Sequence, residues 1–118
     1  MNDPRLDFGV NFIRLHQSAS LGPIKIGLAH RERWVGYHVD QDLFVKRFEL
    51  LDNETYPDGG ANFETFTNEE MLEVESLGPL VTLEPGQYTQ DHVELWSLIK
   101  VPANFDAKND DAVRSLVT

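Results

Sequence analysis

Over residues 43–51 apolar and polar side chains alternate with a period of two. Phe44, Lys46, Phe48 and Leu50 share one face of an extended chain; Val45, Arg47, Glu49 and Leu51 share the other. The first face is mostly apolar and the second mixed, as in a sheet covered on one side only. Similar β-rich runs predict further strands over residues 8–16, 24–29, 34–39, 62–67, 71–77, 80–83 and 88–101. Turn formers separate them: Gly22-Pro23, Asp52-Asn53, Pro57-Asp58-Gly59-Gly60, Gly78-Pro79 and Pro85-Gly86. Short strands with turns this frequent predict an all-β fold, an antiparallel β-sandwich.

One segment admits a rival reading. Thr67 and Glu70 have the spacing of a capping box ahead of Met71, Leu72 and Val74, which would start a helix. About ten residues is short for an unsupported helix, and both flanking segments are strand-like, so a strand is expected. Residues 1–102 are read as the β-sandwich domain. Residues 103–118 are read as a polar tail or arm reaching a partner, with a helical turn or two near 111–117.

Composition narrows the function classes. At 118 residues the chain makes one domain, large enough to bury a core. A formal net charge of −10 repels phosphate backbones and anionic lipid, so nucleic acid and membrane partners are not expected. There is no cysteine, which excludes disulfides, thiolate metal sites and cysteine nucleophiles. The opening MNDPRLDFGV lacks the basic and apolar regions of a secretory signal, and no apolar run nears the roughly 18 residues of a membrane span. A cytoplasmic protein is the expectation.

The chemistry centres on carboxylates inside strand-like runs. Met71, Glu73, Glu75 and Leu77 share a strand face, so Glu73 and Glu75 enter the same space and raise one another's proton affinity. The bland alternative is two solvated charges on an exposed sheet face. Asn62, Glu64 and Phe66 also share a face; an aromatic beside amide and carboxylate groups suits a sugar, which stacks its C–H face and hydrogen-bonds its hydroxyls. Arg47 is preferred over Lys46 as a ligand contact because its fork suits carboxylates and hydroxyls, although a cross-strand ion pair explains it as well. His16, His30, His38 and His92 are scattered without metal-ligand spacing, so no metal is expected; His92 is the nearest to an acid candidate. No Gly-rich phosphate loop or nucleophile elbow occurs, and no cofactor is expected.

The motifs also follow a recognisable order. Asp3-Pro4-Arg5-Leu6, Lys25-Ile26-Gly27, Trp34-Val35-Gly36-Tyr37, Tyr56-Pro57-Asp58-Gly59, Asn62-Phe63-Glu64, Leu72-Glu73-Val74-Glu75 and Glu94-Leu95-Trp96 together resemble an uncharacterised bacterial domain family of the galactose-mutarotase-like β-supersandwiches. The resemblance spans residues 3–100 and corresponds to only the C-terminal half of that architecture. It implies that Glu73, in a Leu-Glu pair, stands where the mutarotases keep their general base, while the half that supplies their acid histidines is missing. Three functions follow: a non-catalytic carbohydrate-binding module using Arg47, Asn62, Glu64 and Glu75; a sugar epimerase-type enzyme with Glu73 as base and the acid supplied by a second subunit; or an assembly protein that has lost the site. Half a sandwich also leaves Phe44, Phe48, Leu50, Leu72, Val74, Leu95 and Ile99 short of cover, so a homo-oligomer, most simply a dimer, is expected.

Overall fold

Val45 has no solvent exposure at all, and Leu43 beside it is almost as deeply buried, so the alternating run builds the centre of the molecule. It forms β5 (Asp42–Phe48), flanked by β4 (Trp34–Val39) and β8 (Glu94–Lys100) in the antiparallel order β4-β5-β8. A second antiparallel sheet has the order β3-β6-β7, from β3 (Ile24–Leu28), β6 (Phe63–Thr67) and β7 (Leu72–Ser76). A small hairpin joins β1 (Leu6–Phe8) to β2 (Ile13–Leu15). The computed structural model describes residues 2–118, and within them the chain is all-β and sandwich-like, with only 10% helix.

Both faces of β5 are covered. Phe48 turns to the β3-β6-β7 sheet and stacks on Phe63 at 5.8 Å, with His30 tilted against both rings. Lys46, on the same face, reaches the second sheet and donates to the Val74 carbonyl at 2.7 Å. The opposite face, Leu43 and Val45, lies under α2 (Asp110–Val117) in a cluster with Val101 and Val117. The segment expected as a polar tail therefore supplies the second cover of β5, where the alternation alone had suggested a sheet covered on one side. Asn109 caps α2 by accepting from the Asp111 and Ala112 amides, and Arg14 of the hairpin pairs with Asp110 at 2.6 Å.

Several expected strands are shorter than the sequence pattern suggests. Residues 8–16 are not one strand but the hairpin β1–β2, because Gly9 turns and its amide donates to the Phe12 carbonyl at 2.9 Å. Residues 80–83 and 88–93 pair with no strand; Pro79 and Pro85 lack amide donors, and Leu80, Val81 and Leu83 stay exposed. The rival helix at 67–78 does not form. Asn68 instead closes a turn, its side chain accepting from the Glu70 and Met71 amides, and β7 follows. The Pro57-Asp58-Gly59-Gly60 turn forms as a single tight turn, α1 (Pro57–Gly60), with Asp58 at φ 52° and Gly59 at φ 78°.

Candidate functional site

Cross-strand register decides which carboxylates meet. Glu64 lies opposite Glu75, and Phe66 lies opposite both Glu73 and Lys25, so all five side chains share the face of the β3-β6-β7 sheet turned away from β5. Gly27 sits opposite Glu64; a Cβ there would come 3.3 Å from the Ala61 Cβ and 3.7 Å from the Glu64 side chain, so the glycine leaves Glu64 room to lie over the strand. Glu64 is only 4% exposed and is neutralised by Lys25, whose ammonium stands 2.7 Å from one carboxylate oxygen. The same ammonium is 3.8 Å from Glu75.

The α1 turn adds a fourth carboxylate. Asp58 meets Glu64, and that contact pushes the Asp58 carboxyl above its usual range while Glu64, bonded by Asp58 and Lys25, is held below its own. The pair thus favours a proton on Asp58 and an anionic Glu64. Partial burial pushes Glu75 up, and the neighbouring Glu73 adds to the shift. The face therefore presents an anionic acceptor (Glu64), a carboxyl that holds its proton more tightly (Glu75), one cation and one half-buried aromatic ring.

Glu73, Glu75 and Glu64 come together as their strand parity suggests, but Asn62 and Arg47 do not join them. Asn62 is fully buried, and its amide clamps the His30 backbone, accepting from the amide at 2.5 Å and donating to the carbonyl at 3.0 Å. Arg47 belongs to the other sheet and turns toward α2, where it donates to the Val117 carbonyl. Of the two neighbouring cations it is Lys46 that reaches the second sheet, on the side opposite Glu73, where it also meets Glu94 at 3.3 Å. His92 bonds Ser76 at 3.0 Å, and Ser76 alternates with Glu73 and Glu75 along β7. The imidazole and Glu73 thus lie on opposite sides of the sheet.

Lys25 and Asp58 are the members the sequence did not single out as site residues. Lys25 and Gly27 do share a period-two face, but nothing in the chain states that this face is opposed to Glu64. Among the described residues no group of three or more His, Cys, Asp or Glu side chains is arranged to hold a metal. Two clefts, of about 490 and 320 Å³, lie along the loop 77–93, the second bordered by Glu49, Glu54, Tyr56 and His92. The Glu73 face is open by comparison. No family model, curated protein or solved structure matches the chain.

Proposed function

We propose that the chain is a carbohydrate-contacting module of galactose-mutarotase-like ancestry, non-catalytic as a single copy and working as a homo-oligomer. The observation that carries the reading is Phe66 flanked on one face by Glu73, Glu75 and Lys25, with the buried Glu64 holding the lysine in place. The ring offers a stacking surface for the C–H face of a sugar, and the carboxylates accept from its hydroxyls while Lys25 donates. Mutarotation needs an acid across the ring from a carboxylate base. With His92 on the far side of β7, Glu73 has no imidazole facing it within the chain, which favours binding over catalysis.

An open face desolvates little of a sugar, so affinity on the order of millimolar is expected. The test is an amide-shift titration with a panel of monosaccharides. Shifts clustered on β6 and β7 and abolished by Glu73→Gln with Glu75→Gln support the reading; a panel that moves no amide there overturns it. Polarimetry on the same samples is expected to show mutarotation at the spontaneous rate. Acceleration that disappears in Glu73→Gln would replace the binding reading with the epimerase-type one.

A further inference from the structure

Strand β8 is an edge of its sheet, paired only with β5. Among the described residues no backbone hydrogen bond reaches its outer edge. An edge of this kind normally carries a proline, a bulge or an inward charge to prevent further pairing. Here the seven residues Glu-Leu-Trp-Ser-Leu-Ile-Lys carry large apolar groups on both faces, and Leu95, Trp96 and Leu98 are 61, 64 and 71% exposed. Trp96 is braced edge-on by Phe44 at 5.6 Å, so it projects in a fixed place.

We infer that β8 is the interface for a second copy of this chain, pairing antiparallel with its own twofold image about Ser97. The inference deepens the self-association proposed above by naming the strand and register. The argument is the self-complementarity of the segment. With Ser97 opposite Ser97 of the second copy, Trp96 meets Leu98, Leu95 meets Ile99, and Glu94 meets Lys100. Apolar groups thus oppose apolar groups, and each terminal acid opposes a base. Glu94 retains its bonds to Lys46 and Ser76, while Lys100, paired to Asp42 yet 78% exposed in its side chain, is free to swing to it.

The edges β7 and β4 lack this match. The same operation on β7 about Val74 sets Glu73 against Glu75 of the second copy, a like-charge clash. On β4, about Gly36, it pairs Val35 with Tyr37 and Trp34 with His38, with no opposed charges. Pairing through β8 fuses the two β4-β5-β8 sheets into one continuous sheet of six strands. A twofold axis perpendicular to that sheet keeps both Glu73 faces on one side and both α2 helices on the other.

Because the chain has no cysteine, Ser97→Cys introduces the only thiol. On the dyad, two such thiols face each other across directly opposed positions, close enough to bridge. Under diamide, Ser97→Cys is expected to form a covalent dimer many times faster than Val10→Cys, whose residue is fully exposed at the hairpin tip. Sedimentation equilibrium at micromolar concentration should give the cysteine-free chain twice its 13.5 kDa mass, and Trp96→Lys with Leu98→Lys a monomer with unchanged circular dichroism. A dimer that survives the lysine pair, or equal crosslinking of the two thiols, overturns the β8 interface while leaving self-association standing. A monomeric parent chain overturns self-association itself, and neither result touches the sugar titration.

Discussion

At the residue scale the informative case is Glu75. Its carboxyl is pushed up by partial burial and by Glu73, with Lys25 at 3.8 Å offsetting only part of that. A folded-state pKa above the unfolded value means that the folded chain binds this proton more tightly. That contribution to stability is complete below the ordinary glutamate value of 4.5 and is lost as pH rises through the folded value. Glu75→Gln removes the penalty of an ionised group among anions. It should raise the melting temperature at neutral pH and leave it unchanged in acid, a comparison that thermal melts across the range provide. The meeting of Glu73 and Glu75 could be read from parity, because alternation in one strand is a local property. Arg47 and Asn62 could not be placed in the same way. Which sheet a strand joins, and whether a buried amide spends itself on a neighbouring backbone, depends on chain segments far away.

At the element scale the strands that find a ladder partner over most of their length, 24–28, 34–39, 42–48, 63–67 and 72–76, fall within three residues of the pattern. The failures share a cause. Residues 80–83 have strand composition but no neighbour to supply ladder bonds, and β propensity expresses packing against neighbours more than a backbone preference. The terminal helix falls where the sequence places a turn or two, but its role as cover for β5 is hidden for the converse reason. Its mean polarity is high, but one stripe, with Val117 and Leu116, meets Leu43, Val45 and Val101. A charge placed in that stripe should be costly: Val117→Asp is expected to destabilise by about 2–4 kcal/mol. Ser115→Asp, two residues earlier on the exposed side, should stay within about 0.5 kcal/mol. Urea midpoints of the two variants check the contrast.

For the whole molecule the dimensions are telling. The radius of gyration is 16.0 Å and the extents are 53 × 32 × 26 Å, against about 13.5 Å for a compact chain of this length. The elongation reflects how the two main sheets meet. Their strands contact one another extensively within each sheet, whereas across the seam the named ties are few: Phe48 on Phe63, His30 on Phe48, Lys46 to Val74, and the Ser76–Glu94 bond. A seam made of a few side chains can open without melting either ladder, so stability need not be uniform along the chain. Native-state hydrogen exchange should then divide the amides into two cooperative groups. Those of β4, β5 and β8, roofed by α2, would report the global unfolding energy, and those of β3, β6 and β7 would exchange through a lower-energy opening. A single exchange isotherm shared by all six strands would show the seam to be as strong as the sheets it joins. If the groups do separate, the carboxylate face rides on the more labile half of the molecule, and ligand bound there would be detected first as slower exchange in β6.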